Sequence, residues 1–511
     1  MKLMEQNAHN TRKIAKNTLV LYVRMLVLML VGLYTSRVVL SALGENDFGI
    51  YDVVGGVVAM FTIISGSLNS AISRFITFEI GKSDPMRLNK VYSTAVTIQL
   101  ILAVVVVLIA EPVGLWFVRN KMTIDPSRIQ AAIWVLHFSL ASFVINLMSV
   151  PQMASITAHE KMSAYAYIGI MEGLLRLAVA VLISRSSSDR LVLYSALMMV
   201  TVLMVRAAYG IYCRRNFPEC RYRWVNDALL VKEMFSFAGW NFIGASSGVL
   251  RDQGGKILVN LFYGTAVNAA RGVAMQLNGA VQGFVTNFMT AVNPQITKSY
   301  ALGDQGYMYY LISKSSRMSY YLLFVLALPV LFNTGYMLDI WLEEVPAHSA
   351  LFVQLFLIFT LSESLSNPLI TAQLATGNIR NYQLVVGGLQ LLNIPVSYAF
   401  LKAGAAPEVT VMVSIAISQI CFFARLFMLK GMIGLPVSDF LKKVYMNVLG
   451  TTALSLAVPF VIHGFLPDTI WGVIISVTLC VISAGLSVLT FGLSRGERHE
   501  ISCWIKKALG K

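Results

Sequence analysis

The feature that most constrains this chain is the recurrence of apolar segments about 20 residues long. A helix of about that length crosses the hydrocarbon core of a bilayer. Fourteen such segments can be placed along the 511 residues. Only a helix can satisfy its whole backbone inside one such segment, so the sequence predicts an all-α polytopic membrane protein with about 14 transmembrane helices. The predicted spans lie near positions 18–43, 47–70, 90–111, 128–150, 164–184, 190–212, 235–263, 266–292, 308–331, 348–373, 380–401, 408–430, 444–463 and 469–492.

Composition excludes the soluble classes of protein. Hydrophobic residues make up 57% of the chain and charged residues only 13%, which is more apolar surface than a soluble protein of this size could bury. The polar start predicts that no cleavable signal peptide is present. Cysteines show no CxxC spacing, so neither a metal site nor a disulfide framework is expected. They are Cys213, Cys220, Cys421, Cys480 and Cys503.

The formal net charge of +15 reflects membrane topology rather than nucleic-acid binding. Lys and Arg lie at loop edges, without a basic patch interleaved with aromatic stacking platforms. Most fall in the loops on the side of the two termini, so the positive-inside rule places both termini in the cytoplasm. We therefore expect a multi-pass membrane protein with both termini in the cytoplasm. The opposite side receives few basic residues, namely Arg119, Lys121, Arg128, Arg185, Arg190 and Lys402.

A weak internal repeat is centred on Gly44 and Gly264, each of which closes an outer turn between two predicted spans. Just upstream, Arg37-Val-Val-Leu corresponds to Lys256-Ile-Leu-Val. At equal distances downstream come Ala71-Ile-Ser-Arg-Phe-Ile-Thr and Ala291-Val-Asn-Pro-Gln-Ile-Thr. Both copies start on the inner side, so the repeats are parallel.

Transporters built from parallel repeats place the substrate between their two halves and expose it to each side in turn. The repeat therefore predicts three segments. These are a six-helix lobe over residues 1–215, a second six-helix lobe over 216–432, and two extra helices with a basic interfacial tail over 433–511.

Ionisable residues inside a membrane span are costly and by default mark a site. Glu172 and Arg176 are one helical turn apart, as are Asp252 and Lys256, and such pairs can neutralise each other. The remaining arginines have no evident partner on their own helix. The charged residues in the predicted spans are Arg24, Arg37, Asp52, Glu172, Arg176, Arg251, Asp252, Lys256, Arg271 and Glu363.

This excess of guanidinium groups suits an anionic substrate, because arginine keeps its charge and its fork of donors matches phosphate. Amides at helical spacing could bind sugar hydroxyls, or could equally form hydrogen bonds between helices. Arg24 lies near enough to the cytoplasmic end to snorkel there instead. The predicted substrate-binding residues are Arg24, Arg37, Arg251, Lys256, Arg271, Asn69, Asn278 and Gln282. The candidates for ion coupling are Asp52, Asp252 and Glu363.

No sequence feature indicates an enzyme. The GxxxxGK[ST] motif of ATP-driven proteins is missing, and no nucleophile with its base or metal cluster can be recognised. We therefore expect no cofactor, and transport coupled to the membrane potential or to a proton or sodium gradient.

Two stretches carry a resemblance to a known family: NTLVLYVRMLVLMLVGLYTSRVVLSALGENDFGIYDVVGG at 17–56 and RDQGGKILVNLFYG at 251–264. With the arrangement of six, six and two spans, the chain resembles bacterial polysaccharide-repeat flippases of the Wzx type. These belong to the multidrug/oligosaccharidyl-lipid/polysaccharide exporter (MOP) superfamily. The resemblance implies a V-shaped cavity between two lobes and alternating access.

The cargo implied by the resemblance is a polyprenyl-pyrophosphate-linked oligosaccharide of O-antigen, capsule or exopolysaccharide. In related flippases, cavity arginines on early spans hold the pyrophosphate, a part that Arg24, Arg37 and Arg271 could play here. The two extra helices are similar to those that form a groove for the lipid tail. Membrane lipids, a polysaccharide polymerase and chain-length machinery are the implied partners.

Three alternatives remain at the level of sequence. One is the flippase of the peptidoglycan lipid precursor. Another is a cation-coupled multidrug exporter, which relies on carboxylates in an early span, whereas the first span here holds Arg24 and Arg37 and no acid. From another class, a membrane polysaccharide polymerase or ligase usually carries a large periplasmic loop, and the outer loops here are short.

Overall fold

The computed structural model describes residues 2–59, 62–120, 122, 124–225, 227–342, 345–463, 469–494 and 496–498. These residues form helices and short connections, with no β-strand in the described ranges. The all-α fold class is thus confirmed. The chain forms two compact units, Met1–Phe242 and Ile243–Lys511, which we call the N-unit and the C-unit.

The N-unit contains six helices and the start of a seventh. A short 3-10 turn at Pro126–Arg128 precedes α4, and a second one at Pro218–Cys220 follows α6. The helices are α1 (Lys2–Ala59), α2 (Thr62–Lys82), α3 (Pro85–Asn120), α4 (Ile129–Ala158), α5 (Met162–Ser184) and α6 (Arg190–Asn216).

The C-unit contains most of α7 and all later helices. Two short π-helical turns, Leu441–Met446 and Val488–Gly492, precede α16 and follow α17. The helices are α7 (Ala228–Ala301), α8 (Gln305–Phe332), α9 (Thr334–Trp341), α10 (Ser349–Ser364), α11 (Asn367–Thr376), α12 (Arg380–Leu391), α13 (Asn393–Lys402), α14 (Val409–Ile433), α15 (Val437–Phe440), α16 (Asn447–His463) and α17 (Ile470–Ser487).

Ten helices in the described residues are long and apolar enough to cross a membrane, or eleven if one bent pair counts as a span. The predicted number of fourteen is therefore not confirmed. The predicted spans at 235–263 and 266–292 lie within α7 but are not among the ten. Small, polar and charged residues interrupt the apolar sequence of α7 there and lower its mean hydropathy.

A glycine interrupts each of the two longest helices at the position that the repeat predicts. Gly44 in α1 has φ 77° and ψ 170°, and Gly264 in α7 has φ 79° and ψ −170°. This region of backbone conformation is essentially restricted to glycine. The two copies of the repeat therefore share one backbone conformation as well as one spacing.

Proline-associated breaks shape the C-unit. The α10–α11 pair is bent by 41°, and Pro368 occupies the first turn of α11, where its missing N–H costs nothing. The chain is thus kinked near Asn367-Pro368. Pro395 lies in the first turn of α13, three residues after the break at Leu392 that separates α13 from α12.

A cluster of one guanidinium and two carboxylates joins three helices of the N-unit. Arg128 donates to both oxygens of Asp47, at 3.0 and 2.5 Å, and its Nη1 donates to Asp189 at 2.8 Å. Asp189 also caps α6 by accepting from the amides of Leu191 and Val192. Burial alone would raise the pKa of Asp189, but these hydrogen bonds outweigh it and lower the pKa. The cluster joins α1 beyond Gly44 to the starts of α4 and α6.

The boundary between the compact units lies inside α7 rather than near position 215, where the sequence placed its first boundary. The reason is that the start of α7 packs on α2: Phe237 meets Phe75 edge to face at 5.9 Å, and the Asn241 side chain donates to the carbonyl of Ser67. The division into 1–215, 216–432 and 433–511 stays a prediction. The predicted basic tail lies largely outside the described residues.

Candidate functional site: an arginine centre in each unit

A cavity of about 480 Å³ lies within the N-unit, between α1, α5 and α6. Its lining is mostly apolar, so the few charged side chains and the tyrosines decide what it can bind. These are Arg24, Tyr51, Glu172, Arg176 and Tyr194.

Arg24 is the cation of this cavity that has no acidic partner within 4 Å among the described residues. Its guanidinium lies over the Tyr165 ring, 4.5 Å from the centroid, and its buried Nε has no hydrogen-bond acceptor. The absence of a side chain at Gly169 makes this position accessible, because a Cβ there would lie 2.3 Å from Nε. The sequence therefore provides an aromatic ring and a glycine on α5 that together fix an uncompensated positive charge on α1.

The second arginine of the cavity is neutralised locally. Arg176 and Glu172 form the ion pair expected from their spacing, with Nη2 and Oε1 2.5 Å apart. One carboxylate against two guanidinium groups leaves the described lining with a formal charge of +1. The cavity thus favours an anion over a cation.

The other N-unit candidates lie outside this lining. Arg37 is exposed and does not line the cavity, although its neighbour Ser36 does. Asn69 is also exposed and accepts a long hydrogen bond, 3.5 Å, from the Ser73 hydroxyl. The side chain of Asp52 is outside the described residues.

Arg271 is the centre of the C-unit site and is 3% exposed. Its Nη1 donates to the Thr410 hydroxyl at 3.1 Å, and its guanidinium lies 5.1 Å from the centroid of Phe356. Its Nε has no acceptor among the described residues. Gly255 makes room for it, because a Cβ there would lie 2.7 Å from Nη2. The arrangement parallels the one around Arg24: a guanidinium between an aromatic ring and a helical glycine.

Arg251 and Asp252 form an ion pair of adjacent residues, Nε to Oδ1 at 2.9 Å, and Arg251 also lies 4.9 Å from the centroid of Phe359. This corrects the pairing inferred from spacing, in which Asp252 faced Lys256 and Arg251 stood alone. Lys256 is exposed instead. Asp252 and Lys256 are one helical turn apart, but the Asp252 carboxylate pairs with the guanidinium of Arg251 instead.

A buried arginine that sequence reasoning missed completes the C-unit centre. Arg425 on α14 is 1% exposed, with Nη1 3.8 Å from Oε1 of Glu363 on α10. The same Oε1 accepts from the Ser418 hydroxyl at 2.6 Å. The positive-inside pattern assigns Arg425 to the cytoplasmic side, because Lys430 and the end of the predicted span follow soon after it. Its position inside an apolar run, opposite Glu363 on another span, was the available signal.

The two polar residues predicted on α7 have different surroundings. Asn278 accepts from the Thr360 hydroxyl at 2.5 Å, so its amide oxygen bridges α7 and α10. Gln282 is exposed. The first therefore joins two helices, and the second is available to a ligand.

No group of three or more metal-ligating side chains occurs in the described part of the chain. The four cysteines within that part, at positions 213, 220, 421 and 480, are buried free thiols. The chemistry that the two centres offer is electrostatic: cations held against aromatic rings, with buried donors that have no protein acceptor.

Comparison with protein families gives one match. A family described as polysaccharide biosynthesis protein matches residues 14–300, more than half of the chain. No individual curated protein matches the sequence significantly.

Solved structures of similar fold cover most of the chain at low sequence identity. MATE in complex with MaD3S matches with a TM-score of 0.72 and 12% identity, covering 83% of this chain and 97% of that one. A multidrug resistance MATE family transporter of the MOP superfamily, in an outward-facing conformation, gives 0.69 and 12%, with 83% and 96% covered. A MOP superfamily transporter from Pyrococcus furiosus gives 0.66 and 12%, with 84% and 96% covered.

Proposed function

We infer the function of this chain from its family, because the chain belongs to the polysaccharide biosynthesis proteins. A member with this membrane fold serves that biosynthesis by moving an intermediate across the membrane. The chain is proposed to be a flippase that carries polyprenyl-pyrophosphate-linked oligosaccharide repeat units from the inner to the outer leaflet of the bacterial cytoplasmic membrane. It does so by alternating access and without a catalytic step of its own.

The observation that carries this proposal is the uncompensated charge of Arg24. A cation that lines a cavity in an apolar bundle, with a buried donor and no acid within 4 Å in the described residues, is costly unless a ligand compensates it. A pyrophosphate supplies several acceptor oxygens and two or more negative charges. The terminal guanidinium nitrogens can bind two of those oxygens at once.

The same charge argues against a cationic drug as the substrate. The described lining of the N-unit cavity carries two arginines and one carboxylate, and it would repel a cation that a multidrug exporter must attract. The related transporter from Pyrococcus furiosus is described as having a binding pocket of reverse polarity that suggests a different function.

In this proposal the C-unit centre is a second anion contact. Arg271 has a buried Nε without an acceptor and is already positioned by Thr410 and Phe356. Arg37, Arg251, Lys256, Asn69, Asn278 and Gln282 remain proposed contacts for the headgroup and its sugars.

The energy source proposed is the membrane potential, because an anion that leaves an inside-negative cell gains about 2.3 kcal/mol per charge per 100 mV. Coupling to protons or sodium would use carboxylates. Asp252 and Glu363 are the described candidates, each next to an arginine, and Asp52 is the third. Polysaccharide polymerase and chain-length proteins are the proposed protein partners, and they take no part in the transport step itself.

The experiment is reconstitution into liposomes with a fluorescent polyprenyl-pyrophosphate oligosaccharide, measuring its arrival in the opposite leaflet without ATP. Arg24→Gln and Arg271→Ala are expected to reduce transport at least tenfold, since one lost charged hydrogen bond costs about 1.5–3 kcal/mol. Arg214→Gln is the matched control, because this exposed arginine at the end of α6 does not line the cavity.

Two results would overturn the proposal. One is wild-type transport by the Arg24 and Arg271 variants together. The other is export of a cationic dye by the same liposomes with no movement of the lipid-linked sugar, which would make the chain a multidrug exporter.

A further inference from the structure

A second cavity, of about 670 Å³, lies within the C-unit and apart from the arginine centre around Arg271. It is bounded by the first turns of α8, by the turn Leu435–Phe440 that follows α14, by the π-helical turn before α16 and by the end of the π-helical turn after α17. Nothing in the proposed transport step uses these residues.

The described lining of this cavity is cationic. Four basic side chains contribute to it, Lys314, Arg317, Lys442 and Lys443, against one carboxylate, that of Asp439. Arg317 binds a carboxylate outside the lining, with Nη2 2.8 Å from Glu497 Oε1, and Lys443 is 3.3 Å from Asp439. Lys442 and Lys443 are both exposed. Lys442 belongs to neither pair and has no acidic partner within 4 Å among the described residues, so it leaves positive charge in the lining.

The rest of the lining includes apolar side chains. Leu435, Phe440 and Leu493 are at most 3% exposed, whereas Phe491 is 60% exposed at the end of the last span. The cavity therefore combines positive charge with apolar surface that includes an exposed aromatic side chain.

Hydrogen bonds to the backbone hold these walls in place. The Tyr309 hydroxyl donates to the carbonyl of Ile433, Arg317 Nη1 donates to the carbonyl of Gly492 at 3.1 Å, and the Asn447 amide donates to the carbonyl of Phe491 at 3.0 Å. Three elements that are distant in sequence are thus fixed around one cavity. A cavity held in this way does not have to be organised when a ligand binds.

Its place in the topology decides which anion it meets. The residues lie at the ends of three spans, on the side that the positive-inside rule assigns to the cytoplasm. At that level the abundant anions are phospholipid headgroups, and basic pockets between membrane helices on this side bind them.

We propose that this cavity is a binding site for an anionic phospholipid of the inner leaflet. Lys442 and Lys443 contact the headgroup phosphate, Lys314 and Arg317 supply further positive potential, and an acyl chain runs over Phe491. The site is separate from the proposed transport site, and its test does not depend on what the protein carries.

The test measures lipid binding to purified protein in a neutral detergent, using phosphatidylglycerol as the probe and thermal stability as the readout. Wild-type protein is expected to be stabilised by phosphatidylglycerol and not by phosphatidylcholine. The double variant Lys442→Gln, Lys443→Gln is expected to bind roughly 30-fold more weakly, at about 1 kcal/mol for each basic residue.

The control variant Arg214→Gln, Arg215→Gln removes the same charge from adjacent exposed residues at the end of α6, and it is expected to bind the lipid like wild type. Equal stabilisation by phosphatidylcholine would overturn the proposal, as would equal weakening in both double variants. Inorganic phosphate is the third arm: if it competes fully and protects as well as the lipid, the cavity is a site for free anions, and the lipid assignment is wrong.

Discussion

The substitution Gly169→Ala tests the position of Arg24 without changing any charge. The added Cβ would lie 2.3 Å from Arg24 Nε and 3.0 Å from both Cζ and Nη2, whereas ordinary contacts begin near 3.4 Å. The guanidinium must therefore retreat by about 1.1 Å, the difference between 3.4 and 2.3 Å, and leave its place over Tyr165.

A hydrogen bond of about 2.9 Å that lengthens by about 1 Å is effectively lost. Loss of one charge-assisted bond to phosphate costs about 1.5–3 kcal/mol, which corresponds to roughly 10- to 150-fold in affinity. The helix itself should tolerate the change, because alanine is favoured over glycine in a helix interior by about 0.5–1 kcal/mol. We therefore expect weak binding in a protein that is as stable as wild type.

The assay is titration of the purified protein with a short-chain prenyl-diphosphate-linked disaccharide, with thermal unfolding measured on the same samples. Gly210→Ala is the matched control, since this glycine on α6 has no atom within 4 Å of its added Cβ. The reasoning is refuted if Gly169→Ala binds as tightly as Gly210→Ala, or if both lose affinity alike.

The remaining predictions concern stability. Glu363→Gln strands the buried charge of Arg425 and should lower the free energy of unfolding by about 3–5 kcal/mol, while adding Arg425→Met should restore part of the loss; additive losses in a double-mutant cycle would argue against the pair. Gly44→Ala and Gly264→Ala should each cost about 1–3 kcal/mol through backbone strain alone, since neither added Cβ meets an atom within 4 Å. Gly32→Ala in the regular part of α1 should cost nothing measurable, and equal thermal unfolding temperatures for all three would contradict the strain.

The fold class was predictable because the apolar segments are long enough to specify membrane helices without knowledge of their packing. The number of spans was less predictable. α7 carries Arg251, Asp252, Lys256 and Arg271 among small and polar residues, and the two spans predicted within it are not among the ten apolar helices. The glycine-centred repeat was the better guide in this region, because it depends on spacing and not on hydropathy.

Most charged residues of the two arginine centres could be predicted from the sequence, but which of them form ion pairs could not. Spacing along one helix gave the Glu172–Arg176 pair correctly, but it joined Asp252 to Lys256 where the structure joins it to Arg251. Arg425 was misplaced because its partner lies on another helix. Contacts between helices depend on how the bundle packs, and a single sequence contains no direct record of that packing.

The shared conformation of Gly44 and Gly264 bears on how such a chain arose. If a gene for one predicted six-helix lobe already carried the glycine, its duplication and fusion would give both copies the same interruption of the helix. Side chains around the break could then diverge until little identity remained, whereas the residue at its centre could not, because only glycine adopts that conformation without strain. A common origin of this kind remains visible in the backbone torsion angles when the sequence identity between the two copies has become low.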